Sequence, residues 1–215
     1  MDDRKITIPL LRRLPSYLEY LRSLPNDGPA AISSTALARE LGFGEVTVRK
    51  DLAAVSGGGR RKVGHLKKDL IQSIEDLLDY NNTFRAVLVG TGRLGQAILS
   101  SQEFEPQGTQ IVAGFDLSSQ QAQTLDGKPV LPIEDLETFC TANRIRMGVI
   151  TVSSDVAQPV CDRLVGCGID VIWNFAPTIL QVPGHVLVQN VDLSASLAAL
   201  RMQHIRQRYE NAANT

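Results

Sequence analysis

Cysteine, histidine and aromatic residues are scarce in this chain, and it has no long apolar run. The three cysteines, Cys140, Cys161 and Cys167, form no C-x-x-C pair and no metal-ligand spacing. They read as small buried hydrophobes in a reducing compartment, with a thiol switch as the alternative. The histidines give no hydride-transfer or acid–base constellation. His65 falls in a basic glycine-rich stretch, His185 follows Pro183-Gly184 in a turn, and His204 lies on a helical stripe. No segment approaches the roughly 20 apolar residues of a membrane span. Met1-Asp2-Asp3-Arg4-Lys5 lacks the apolar core of a signal peptide, so the cytoplasm is the expected location.

Nor does charge of one sign dominate. Net charge is −1, with 21% charged and 43% hydrophobic residues, an ordinary balance for a soluble globular chain. Its 215 residues suffice for one large or two small domains. The average hides an asymmetry: residues 1–82 hold 13 Lys and Arg against 11 Asp and Glu, and the remainder 9 against 12. Between 44 and 68, Arg49, Lys50, Arg60, Arg61, Lys62, Lys67 and Lys68 outnumber Glu45 and Asp51. Such a cluster suits a polyanion; the alternative is a solvated basic face.

What is present centres on Val87-Leu88-Val89-Gly90-Thr91-Gly92-Arg93-Leu94-Gly95. An apolar, β-branched run feeds three glycines at G-x-G-x-x-G spacing, and a helical stretch follows at once. Gly90 permits the tight turn, Gly92 lets backbone approach a pyrophosphate, and Gly95 lets the helix pack close to the strand. The helix N-terminus then offers free N–H groups to phosphate. Phe115-Asp116 ends a second apolar run 21 residues after Gly95, where a carboxylate should meet an adenosine ribose. The alternative is a glycine turn that holds nothing.

Upstream, Leu10, Leu14, Leu18 and Leu21 predict a helix over 10–24, ended by Pro25 to Pro29. Short helices over 35–41 and 45–55 flank Gly42-Phe43-Gly44, the helix-turn-helix pattern. Ser56-Gly57-Gly58-Gly59-Arg60-Arg61-Lys62-Val63-Gly64-His65 then reads as a basic wing, or else as a flexible linker. A helix over 66–78 ends at Asn81-Asn82, the predicted domain boundary.

From Phe84 the pattern alternates. Strands are expected at 85–89, 110–115, 128–131, 147–152 and 169–174, with a further one at 186–189. Helices are expected at 93–100, 133–142 and 156–167. This is an α/β pattern, a doubly wound parallel sheet with ligands at the carboxyl ends of its strands. A last helix, 192–209, aligns Leu193, Leu197, Leu200 and His204 and needs a cover from its own domain or a second subunit.

Val48-Arg49-Lys50-Asp51-Leu52, the glycine motif, Phe115-Asp116-Leu117, Ile150-Thr151-Val152, Gly168-Ile169, Asn174-Phe175-Ala176-Pro177, Val182-Pro183 and Asn190-Val191-Asp192-Leu193 follow one another in the order seen in the Rex family. The chain resembles these bacterial redox-sensing transcriptional repressors over nearly its whole length. The resemblance implies three parts: a winged-helix DNA-binding domain at 1–82, a Rossmann domain at 83–190, and a C-terminal helix at 191–215 exchanged between subunits of a homodimer. It implies a double-stranded, pseudo-palindromic operator that is released when NADH binds, with NAD(+) competing, and no membrane. Thr47, Arg49 and Lys50 would contact DNA from the recognition helix, and Arg60, Arg61, Lys62 and His65 from the wing. Gly90, Thr91, Gly92, Arg93, Leu94 and Gly95 would hold the pyrophosphate of NAD(H), and Asp116 the ribose, with Leu117 beside it. Thr151, Val152, Asn174, Phe175 and Pro177 would line the nicotinamide side, with Asp192 near it or at the hinge of the exchanged helix.

The chain departs from the family pattern in places. Lys62 and His65 replace a glycine and a tyrosine of the wing, and Ser153 replaces a proline. A family arginine and tyrosine that join the aspartate match Glu19 and Ser101; Glu19 would repel Asp192 rather than pair with it. Three expectations therefore stand: a repressor gated by NAD(H), a repressor retuned to ATP or ADP, and a small NAD- or coenzyme-A-binding enzyme or subunit. Asp116 favours NAD over NADP, because its charge opposes a 2′-phosphate.

Overall fold

The computed structural model describes residues 6–25, 30–56, 64–80, 82–117 and 127–213 and divides into two compact units, Met1–Asn82 and Thr83–Thr215. In the first, α1 (Ile8–Ser23) starts at Thr7, whose hydroxyl accepts from Leu10 N at 3.3 Å. Its buried stripe of Leu10, Leu14, Tyr17, Leu18 and Leu21 recurs at helical spacing. That stripe packs with Leu37 and Ala38 of α2 (Ser34–Leu41), Val48, Leu52 and Val55 of α3 (Glu45–Ser56), and Leu70 and Ile74 of α4 (Lys67–Leu77). Ser33 caps α2, and Gly42 ends it at φ +68, the left-handed turn that sets α3 across it. The sequence does not announce β1 (Ala31–Ile32) or β2 (His65–Leu66), an antiparallel pair, because two residues carry no period. Lys67 is buried, yet its Nζ donates to the Leu24 and Pro25 carbonyls at 3.2 and 2.9 Å, closing the end of α1.

The second unit is a six-stranded, fully parallel sheet. Its strands are β3 (Phe84–Val89), β4 (Thr109–Asp116), β5 (Val130–Pro132), β6 (Met147–Ile150), β7 (Val171–Asn174) and β8 (Leu187–Asn190). They lie in the order β5-β4-β3-β6-β7-β8. The order of strand addition reverses between β3 and β6, the switch point at which such sheets bind ligands. Alternate residues serve opposite faces, except that a bulge in β4 opposite Ala86–Val87 shifts the register and puts Ile111 and Ala113 on different faces. Val87, Val89, Ala113 and Phe115 face the core shared with α6 (Leu136–Asn143) and α7 (Ser154–Gly166), while Ala86, Leu88 and Ile111 pack on Ile98 and Leu99 of α5 (Arg93–Ser100). The helix expected from 133 opens instead as a 3-10 turn, Ile133–Asp135, and α7 begins two residues before its expected start, with Ser153 as its N-cap. The 21-residue α8 (Leu193–Ala213) leaves Leu193, Leu197, Leu200, Met202 and Tyr209 exposed on this chain. No helix among the described residues is long and apolar enough to cross a membrane.

Candidate functional site

Parallel pairing of β3 with β6 puts their carboxyl ends side by side, and α5 and α7 both start there. The turn from β3 into α5 is tied down from both flanks. Thr151 Oγ1 donates to the Gly90 and Val89 carbonyls at 2.6 and 3.1 Å. On the other side, Thr91 donates through N and Oγ1 to Asp116 Oδ2, at 2.6 and 2.9 Å. Gly90 takes φ +99, and a Cβ there would lie 2.7 Å from Val152 Cγ1. A Cβ at Gly95 would overlap Gly90 O and lie 2.9 Å from Thr151 Oγ1. Two of the three glycines are thus required by packing.

The third is different. A Cβ on Gly92 meets nothing within 4 Å, and Gly92, the N-cap of α5, offers the first N–H groups of that helix no side-chain cap. Open space beside uncapped N–H groups and a positive helix end is what a pyrophosphate needs, so these residues fit a dinucleotide. Arg93 and Leu94 lie exposed on the first turn of α5.

A cavity of about 460 Å³ opens from this turn, within the size range of small-molecule sites. Gly90, Gly92, Asp116, Leu117, Thr151 and Val152, six of the residues expected at the cofactor, line it together. Its other wall was not foreseen. Val156, Pro159, Val160 and Arg163 form one i, i+3, i+4, i+7 stripe of α7, facing Ile133 and Leu117, with Ser153 at the mouth. Arg163 is held in place by Glu137 Oε1 at 3.1 Å and the Ile133 carbonyl at 3.0 Å. A pattern of this kind is indistinguishable in sequence from core packing; only its position after the switch-point strand marks it.

Eight expected residues do not line this cavity: Thr91, Arg93, Leu94 and Gly95 belong to the turn and the start of α5 beside it, and Asn174, Phe175, Pro177 and Asp192 lie elsewhere. Asn174 is fully buried and its amide is consumed internally: Nδ2 lies 2.8 Å from Asn190 Oδ1, 3.0 Å from Thr178 O and 3.2 Å from Ala176 O, and Oδ1 accepts from Ala176 N at 3.0 Å. Its side chain organises the loop after β7, so any part it takes at the nicotinamide side falls to that loop. Phe175 stacks edge-on against Trp173 with ring centroids 4.6 Å apart, and Pro177 is exposed. Asp192 caps α8, its Oδ1 accepting from Ala195 N at 2.8 Å. Glu19 is exposed on α1, and Ser101 Oγ accepts from Glu103 N at 3.2 Å just after α5.

In the N-terminal unit, α3 buries Val48, Asp51, Leu52 and Val55 and exposes Thr47, Arg49 and Lys50. Asp51 anchors it. Arg13 of α1 grips the carboxylate through Nε and Nη2 at 2.7 and 2.9 Å, and Tyr17 OH donates to Oδ2 at 2.7 Å. The bond to Asp51 holds the Arg13 proton still more firmly, and burial with the Asp51 contact pushes the Tyr17 hydroxyl well above its usual range. Asp51→Ala leaves Arg13 without its counter-charge and Tyr17 without its acceptor. It is expected to destabilise this unit by about 3 kcal/mol. A lowered urea midpoint followed by circular dichroism checks it.

Arg60, Arg61 and Lys62 lie outside the described residues. His65 is engaged at one ring nitrogen. It is half-buried in β2, with Nδ1 2.8 Å from Ser56 Oγ. Ser56 spends its one proton on the Leu52 carbonyl at 2.9 Å, so Nδ1 must be the donor in this pair. Burial lowers the His65 pKa. Folding then favours the neutral ring, and the unfolded chain binds the proton first as pH falls through about 6.5. Stability conferred here is present above that pH and lost below it. Thermal midpoints at pH 7.5 and 5.5 should differ more in the parent than in His65→Asn.

Comparison with known proteins decides what these two units belong to. A family model described as a putative DNA-binding protein N-terminus matches residues 5–53, and one described as a CoA binding domain matches residues 81–178. The redox-sensing transcriptional repressor Rex of Porphyromonas gingivalis is 38% identical over 199 residues, covering 92% of this chain and 91% of its own. The chain belongs to the Rex family. Among solved structures, the Rex-family repressor RSP in complex with β-NAD(+) and operator DNA superposes with a TM-score of 0.87 at 31% identity, covering 97% of both chains. RSP in complex with β-NADH gives 0.83 at 31% identity, covering 97% of this chain and 99% of its own. Rex architecture accounts for both units: a winged-helix DNA-binding domain with α2–α3 as its helix-turn-helix, and a Rossmann-type sheet.

Proposed function

We propose that this chain is a redox-sensing transcriptional repressor that holds a pseudo-palindromic operator as a homodimer and gives it up when the glycine cradle is loaded with NADH. One observation carries the reading: a turn braced by Thr151 and Asp116, with its Gly92 face open, in a chain that also exposes Arg49 and Lys50 on a helix-turn-helix. The Gly90–Gly95 turn would hold the pyrophosphate through its N–H groups, and Asp116 the ribose. The α7 stripe would take the adenine face. Asp116 opposes a 2′-phosphate, so NAD(H) is preferred to NADP(H). The dinucleotide is read as a signal rather than turned over: among the described residues that line the cavity, Asp116 is the one carboxylate and there is no histidine. The exposed apolar residues of α8 supply the surface a second copy would cover. RSP, the structural relative, has been seen with NADH and, separately, with NAD(+) and operator DNA.

A second reading keeps the repressor and changes the ligand to ATP or ADP. Glu19 and Ser101 favour it, because neither supplies the arginine or tyrosine of the family switch. Calorimetric titration with NADH, NAD(+), ATP, ADP and coenzyme A separates the readings. Sub-micromolar NADH binding, tighter than the other four, supports the first. An adenine mononucleotide bound more tightly than NADH replaces it, and coenzyme A bound most tightly returns the chain to an enzyme-like role.

A further inference from the structure

Val46 is 54% exposed, in the first turn of α3, where a branched aliphatic side chain gains nothing from water. It stands three and four residues before Arg49 and Lys50 and therefore shares their face, on the side of α3 away from buried Val48, Leu52 and Val55. Ala53, seven residues on, is also exposed on that face. The outward surface of α3 is thus a pair of cations bracketed by two apolar groups.

Recognition helices put their N-terminal residues against base edges, and the one apolar group in the major groove is the C5-methyl of thymine. We infer that Val46 reads a thymine methyl in each operator half-site, as a specificity-determining residue beside the phosphate- and base-seeking cations. This rests on the reading of α3 as the DNA-contacting helix. The polar neighbours support the assignment. Thr35 Oγ1 donates to Glu45 Oε1 at 2.8 Å, turning that carboxylate toward α2 and leaving Val46 to lead the face.

The test uses the full-length chain and a duplex selected from a random pool by that chain. Each thymine is exchanged singly for deoxyuridine, which removes only the methyl. Burying one such group is worth about 0.8 kcal/mol, or about fourfold in affinity per half-site. The parent should lose about fourfold at one thymine of each half-site, and Val46→Ala should bind the thymine and uracil duplexes equally. Lys50→Ala should weaken both duplexes while keeping the fourfold ratio. A parent indifferent to every exchange, or a Val46→Ala variant that keeps the ratio, overturns the inference. Unchanged affinity in Arg49→Ala with Lys50→Ala instead overturns the α3 reading itself. Val46 is exposed, so NADH affinity and thermal midpoint serve as unchanged controls.

Discussion

Gly95→Ala should cut NADH affinity about 100-fold while leaving operator binding within twofold in the absence of nucleotide. The added methyl overlaps the Gly90 carbonyl, and neither neighbour is a flexible side-chain end. Gly90 O already accepts from Thr151 Oγ1 at 2.6 Å, so the carbonyl cannot swing away without losing that bond. Relief must come from moving the turn or the start of α5, the two elements that would cradle the pyrophosphate. Overpacking of this order costs about 1–3 kcal/mol, and each 1.4 kcal/mol is tenfold in affinity. Gly92→Ala is the informative partner. Its φ is −64 and its Cβ meets nothing, so the fold should keep its stability while the methyl stands where phosphate oxygens belong. Calorimetry for NADH and thermal midpoints for stability separate the two outcomes: Gly95→Ala loses both, and Gly92→Ala loses affinity alone. Equal NADH binding by parent and Gly92→Ala would remove the pyrophosphate from this turn.

Arg49→Ala with Lys50→Ala should have the second large effect. Both side chains are exposed on α3, away from the core that Asp51 anchors, so their loss should not disturb the unit. Guanidinium and ammonium groups on a recognition helix contribute about 1–3 kcal/mol for each base-edge contact, and phosphate contacts add a salt-dependent share. A dimer loses four cations at once. Operator affinity at about 0.1 M salt should fall at least about 100-fold, and the slope of log affinity against log salt should flatten by about one for each phosphate contact removed. NADH affinity should be intact. Retained operator binding refutes the placement of α3 on DNA.

The glycine turn was legible because its chemistry is local: three glycines between a strand and a helix leave few backbone solutions, and Gly90 and Gly95 do the two packing tasks their spacing implies. The Asp51 anchor was not legible. Its partners Arg13 and Tyr17 stand 38 and 34 residues earlier, and nothing in V-R-K-D-L says which charged residue points inward. The loop-organising role of Asn174 was hidden for a related reason. A polar residue ending an apolar strand reads as ligand-facing, yet its amide can serve the backbone of the following loop, and here it does. The α7 wall went unseen because an i, i+3, i+4, i+7 stripe looks the same whether it faces a core or a cavity. His65 looked like a wing contact by neighbourhood, and the short β1–β2 pair, too brief to have a period, turns it toward Ser56.

Gel shift of the full-length chain on its selected operator, run across a series of NADH/NAD(+) ratios at constant total nucleotide, tests the central claim most directly. The bound fraction should fall steadily as the ratio rises, and Gly92→Ala should hold its operator at every ratio. A bound fraction that ignores the ratio, in protein shown to take up NADH, would contradict the coupling between cradle and DNA.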